Sequence, residues 1–274
     1  MSFRQRVAHA DSQLLGGLLS ATRSKGLEFR SRASRLNELR EERKLQAAGR
    51  SVARRHTLVA WGAAEELKRL CDLHGSDKGS MRELEMETGH PPHSYCDIYG
   101  TLFDHCRESV RTVFECGIGT SDPSKPSTMG ALGRPGASLR VWRDYFPHAQ
   151  IIGADIDRNT LFAEERIRTY QVDQTSAPSV QNLWDSLSGL HFDLFIDDGL
   201  HTFAAAKCLF DNSWDRLKPG GLYVVEDLWM QDLAQFVGHV QQLGLPTLVA
   251  RALRPGRVAV SDNSLVIVRK PTDL

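Results

Sequence analysis

The chain has 274 residues, 41% hydrophobic and 25% charged, with 34 basic side chains balanced by 34 acidic ones. That composition is ordinary for a globular protein, and the length allows one large α/β domain with an appendage. No apolar run approaches the roughly 18 residues of a membrane span. The five cysteines (Cys71, Cys96, Cys106, Cys116, Cys208) form no CxxC pair, which argues against a disulfide scaffold or zinc site and for a reducing, cytoplasmic setting.

Charge is unevenly placed: residues 1–60 carry 13 Lys or Arg against 5 Asp or Glu. Residues 1–58 read as a basic helical or disordered appendage, separate from a domain over 59–274. Leu36, Leu39 and Leu45 sit among alternating charges, the pattern of an exposed helix with a thin apolar stripe that could pair with a second copy. A homo-oligomer is the expected assembly. The basic stretch lacks interleaved aromatics and any recognisable module, so nucleic acid is not expected as a partner. Helical spacing returns at Leu58, Trp61, Leu67, Leu70 and Cys71, and again at Tyr95, Ile98, Tyr99, Leu102 and Phe103. Between these two stretches lies the polar segment LHGSDKGS, residues 73–80.

The sheet is expected to begin at TVFECGIGT (112–120), where an apolar run, Glu115 and the glycines Gly117 and Gly119 make a strand followed by a tight turn. A long Ser/Pro/Gly loop, 121–136, precedes the helix ASLRVWRDYF. IIGADID (151–157) reads as a second strand ending in Asp155 and Asp157, and RTYQVD as a third ending at Asp173. Two further apolar runs finish in paired acids: FIDD ends in Asp197 and Asp198, and YVVED in Glu226 and Asp227. A helix over about 230–244 and two apolar runs at 246–250 and 264–268 complete the pattern. Alternating strands and helices that finish in a hairpin predict a mostly parallel, Rossmann-like sheet with a reversed edge strand.

If the two acid-tipped strands are neighbours, their carboxyl ends share the edge where open α/β sheets bind ligands. Carboxylates crowded there repel one another unless a cation shares them, and magnesium favours oxygen ligands. Asp198, Glu226 and Asp227 are therefore the expected metal site. His201, three residues after Asp198, is placed to take a proton from something bound there. Acids at strand ends often only cap helices or face water; here it is the conjunction that points to chemistry. For a nicotinamide dinucleotide the fingerprint fails, because Asp122 stands where the third glycine belongs and Asp155 is too far along the chain. S-adenosylmethionine has no pyrophosphate and does not need that glycine.

FECGIGT, GADID, FIDDGLH and LKPGGLYVVEDLW together resemble class I S-adenosylmethionine-dependent methyltransferases. More narrowly, with GSDKGS and HSYCDIYGTLF, they resemble the magnesium-dependent sugar O-methyltransferases over roughly 65–270. The resemblance implies a Mg2+ ion on Asp198, Glu226 and Asp227 and His201 as general base. It also implies S-adenosyl-L-methionine bound by Glu115, Gly117 and Gly119, by Asp155 at the ribose, by Asp173 near the adenine and by Asp197 at its border. The implied acceptor is a saccharide or glycoside hydroxyl. A catechol or other small diol is the alternative acceptor, and a non-catalytic S-adenosylmethionine-binding subunit the alternative role. The resemblance assigns no place to Lys78, His93, Tyr95 or Arg140.

Overall fold

The computed structural model describes residues 64–79, 92–130, 133–252 and 263–272. The expected helix around Leu36 to Leu45 and the boundary between 58 and 59 lie outside these residues. The described chain opens with two helices, α1 (Glu65–His74) and α2 (Cys96–Phe103). Then come β1 (Thr112–Cys116), α3 (Ala137–Tyr145), β2 (Gln150–Asp155), β3 (Ala163–Glu164), β4 (Ile167–Gln171), α4 (Ala177–Ser186) and β5 (Phe192–Asp197). The series ends with α5 (Phe203–Asp211), β6 (Leu217–Glu226), α6 (Met230–Gln242), β7 (Thr247–Arg251) and β8 (Ser264–Arg269).

One eight-stranded sheet runs in the order β3-β4-β2-β1-β5-β6-β8-β7. The pairs β4–β2, β2–β1, β1–β5 and β5–β6 are parallel, whereas β8 is antiparallel to both β6 and β7. The reversed strand is thus second from the edge, and β7 turns back to the common direction. At the opposite edge the two-residue β3 pairs antiparallel with β4, a strand too short to leave a periodic signal in the sequence.

Side chains along each strand divide between two cores. Val113, Ile151, Leu194, Ile196, Val224, Leu265 and Ile267 pack with Leu67, Tyr99 and Trp142 of α1, α2 and α3. The alternate residues Phe114, Ile152, Phe195, Tyr223, Val225, Val266 and Val268 pack with Trp184, Phe210 and Phe236 of α4, α5 and α6. Strands buried on both faces must be apolar throughout, which explains the uninterrupted runs in the sequence. Helices start where the side-chain chemistry supports them. Ser176 caps α4 by accepting the Ser179 N–H, with a proline in the first turn, and Thr202 caps α5 by accepting the Ala205 N–H.

Candidate active site

The parallel strands bring the acids to one edge in spatial order. Reading across β4, β2, β1, β5 and β6, the chain presents Asp173, Asp155, Glu115 with Gly117, then Asp197 with Asp198, then Glu226 with Asp227. Register fixes this order: Cys116 lies opposite Asp197, and Asp197 opposite Val225. The next residues along, Asp198 and Glu226, therefore leave the sheet side by side.

Gly117 and Gly119 have φ of 86° and 87°, a region that disfavours side chains. At Gly117 a Cβ would stand 2.0 Å from the Asp198 carbonyl oxygen, so the turn after β1 closes directly on the turn after β5. Asp155 holds the turn from the other side: its Oδ2 accepts the Ile118 N–H at 3.0 Å and its Oδ1 the Asp157 N–H at 2.9 Å. Asp157 in turn accepts the Thr120 hydroxyl at 2.6 Å. Asp173 accepts the N–H and hydroxyl of Thr175, shaping the turn into α4. Asp197 Oδ1 accepts from the Gln174 amide at 3.0 Å, and Gln174 Oε1 accepts the Leu200 N–H. Gln174 so ties the turn after β4 to the turn after β5, a link that no sequence pattern announced.

At the β5–β6 end, ligand atoms of Asp198, His201 and Asp227 lie within 4.8 Å of one another. His201 precedes the α5 cap, and its Nε2 is 3.2 Å from Asp198 Oδ1. Both His201 and Asp227 adopt positive φ, 58° and 56°, conformations held only where the surroundings fix them. Glu226, 1% exposed, is turned toward the protein interior. Its Oε1 accepts the Tyr99 hydroxyl at 2.5 Å and its Oε2 the Lys78 ammonium at 2.6 Å. The same ammonium donates to Asp198 Oδ2 at 2.5 Å and lies 3.5 Å from Glu115 Oε1. Tyr95 donates to Asp227 Oδ1, and His93 Nδ1 is 3.3 Å from that oxygen.

Lys78, His93, Tyr95 and Tyr99 thus complete a cluster whose sequence-predicted members were all acids and one histidine. Tyr95 and Tyr99, four residues apart, share a face at the start of α2. That spacing, together with the lysine in GSDKGS, was the available signal. Arg140, the other residue without a place, pairs with Glu164 away from this cluster.

Electrostatics follow from crowding buried acids around one ammonium. Burial opposes the charge on Lys78, but Asp198, Glu226 and Glu115 hold its ammonium well above the ordinary lysine range. Burial likewise opposes ionisation of Asp198, yet Lys78 and His201 bring its carboxyl well below the carboxylate range. Glu226 is pushed well up by burial and by the neighbouring acids. Burial pushes Glu115 up to about 7 and Asp197 to about 6. Asp227 rises to about 6 through burial and the charge of Asp198. His201 resists burial through its bond to Asp198 and rises to about 9.

No protein-family model matches the chain. In sequence it is 36% identical over 155 residues to 8-demethyl-8-alpha-L-rhamnosyl tetracenomycin-C 2'-O-methyltransferase of Streptomyces olivaceus. It is 35% identical over 159 residues to mycinamicin VI 2''-O-methyltransferase of Micromonospora griseorubida. The chain resembles sugar O-methyltransferases. Each match takes in 57% of this chain but only 35% and 37% of those proteins, so the chain spans well under half the length of these relatives. In fold it is similar to the MycE methyltransferase of the mycinamycin pathway, solved with Mg and SAH. That likeness has a TM-score of 0.53 at 25% identity and covers 76% of this chain and 54% of the other. The architecture is therefore the Rossmann-like methyltransferase fold, as the order of strands and helices implied.

Proposed function

We propose that the protein is a Mg-dependent, S-adenosylmethionine-dependent O-methyltransferase acting on a sugar hydroxyl of a glycosylated natural product or polysaccharide precursor. The observation that carries this reading is the convergence of Asp198, His201 and Asp227 within 4.8 Å at the sheet edge that also bears Glu115 and Asp155. The residues fit both groups. Among the described residues, Asp197 Oδ2 has no hydrogen-bond partner and Glu115 Oε1 has only the Lys78 ammonium at 3.5 Å, so donors of a bound cofactor would satisfy them. Gly117 and Gly119, both at positive φ, let the turn after β1 close on the Asp198 carbonyl and on Met129, where a side chain would collide. The acid cluster offers hard oxygen donors of the kind magnesium takes.

Asp198, Glu226 and Asp227 would hold the ion; Glu115, Gly117, Gly119, Asp155, Asp173 and Asp197 would line the cofactor. Bound there, the ion would supply Lewis-acid activation of the acceptor hydroxyl and the cofactor an electrophilic methyl group. His201 would accept the hydroxyl proton at its imidazole. An imidazole raised to about 9 is protonated at neutral pH, but that rise comes chiefly from the bond to Asp198 and its charge, with the charges of Asp227 and Asp197 behind them. With Asp198 committed to a cation, His201 would lose the main support for its proton and could act as base. The fixed geometry of the two turns would hold hydroxyl and methyl in line.

The test is calorimetric titration with S-adenosylhomocysteine and, separately, NAD, each with magnesium and after chelation. Methyl transfer to rhamnosides and other deoxysugar glycosides would then be assayed beside transfer to catechols. Binding of S-adenosylhomocysteine alone, with magnesium-dependent transfer to glycosides, is expected. Binding of NAD alone overturns the reading, and transfer to catechols alone moves the acceptor to small diols.

A further inference from the structure

We propose that Lys78 is a built-in competitor for the divalent ion: its ammonium occupies the Asp198 and Glu226 oxygens and is displaced from them when the ion binds. This rests on the metal site proposed above. Lys78 is 2% exposed and is no mobile surface lysine. Its carbonyl accepts the Cys96 N–H at 2.9 Å, while those of Asp77 and Gly79 accept the His93 and Ser94 N–H groups, so the backbone is pinned beside α2. Only the side chain, a compact charge on a four-carbon stem with rotatable bonds, could yield its place without shifting that backbone.

The geometry leaves the ion no unclaimed oxygen on Asp198 or Glu226. Asp198 Oδ1 is paired with His201 and Oδ2 with Lys78; Glu226 Oε1 is taken by Tyr99 and Oε2 by Lys78. Lys78 bridges Oδ2 and Oε2 at 2.5 and 2.6 Å, so one positive charge already serves both carboxylates. Two cations on the same pair of oxygens repel one another, so an ion that uses both carboxylates has to drive the ammonium away. The ammonium meanwhile keeps acids of β1, β5 and β6 assembled without any metal. The consequence is a site already formed but set to bind its ion more weakly than its acid count suggests.

The experiment is Lys78→Met in the full chain, with magnesium titrated by calorimetry and thermal unfolding followed with and without the ion. Removal of the competitor is expected to tighten magnesium binding by about tenfold or more, and to enlarge the rise in Tm that magnesium produces. A lysine that merely supports the fold would, on removal, weaken binding; weaker or unchanged affinity overturns the proposal. Should the variant fail to fold, a crystal structure of the unsubstituted chain with magnesium decides. Lys78 Nζ out of hydrogen-bond reach of both carboxylates is expected, and an ammonium still bridging them beside the bound ion overturns the proposal. If the unsubstituted chain takes up no magnesium while still binding S-adenosylhomocysteine, the metal reading itself fails, a result distinct from an unchanged affinity in the variant.

Discussion

His201 and Glu115 are both titratable groups at the sheet edge, and the structure gives each a different dependence on its neighbours. Removing the His201 imidazole takes away the proposed base and leaves Asp198 and Asp227 in place. His201→Ala is therefore expected to keep magnesium and S-adenosylhomocysteine affinity within a few-fold and to lose about 10²–10⁴ in kcat, readable by parallel calorimetry and transfer assays. Glu115, 0% exposed, is raised to about 7 by burial. The unfolded chain releases this proton near 4.5, so between about 4.5 and 7 the unfolded state binds fewer protons and stability falls as pH rises. Glu115→Gln should remove that loss: its Tm should match the unsubstituted protein below pH 4.5 and exceed it above pH 7, by up to about 3 kcal/mol in stability. The acids at the ends of β5 and β6 were legible because they follow directly on apolar runs, and His201 because it stands three residues after Asp198. Lys78 was not, because its partner Glu226 is 148 positions away and only the folded sheet edge brings them together.

The turns between elements decide where these side chains stand. Gly117 combines a φ of 86° with an approach that leaves no room for a Cβ beside the Asp198 carbonyl. Gly117→Ala has to shift backbone on both β1 and β5, at a cost of about 2–4 kcal/mol. Denaturant unfolding should show that loss, and S-adenosylhomocysteine binding should fall with it. The regular elements were largely legible. The expected runs at 246–250 and 264–268 became β7 (Thr247–Arg251) and β8 (Ser264–Arg269), and the helix expected over 230–244 became Met230–Gln242. The run ending at Asp173 stops pairing at Gln171, because Asp173 is occupied with the Thr175 turn. The place of β8 between β6 and β7 was beyond the sequence pattern, since a hairpin can add to a sheet by either of its strands.

At the scale of the whole molecule, residues 1–60 stand apart from the rest of the chain in charge, with 13 Lys or Arg against 5 Asp or Glu. A chain starting at Val52 is expected to unfold cooperatively and to bind S-adenosylhomocysteine as the full chain does. Calorimetry and thermal melts of the shortened protein check this, and loss of either property would make the basic segment part of the folding unit. Among the described residues no helix is long and apolar enough to cross a membrane. The sheet order has a kinetic consequence as well. Its central strand β1 pairs with β2 and with β5, matching Val113 to Leu194, and β6 completes itself only on β8, matching Val224 to Ile267. Chains governed by such distant pairings fold slowly, because large loops close before their contacts reward them. During synthesis on the ribosome, β1 waits for β5 and β6 for β8, so the carboxyl edge that carries the chemistry is among the last features to take shape.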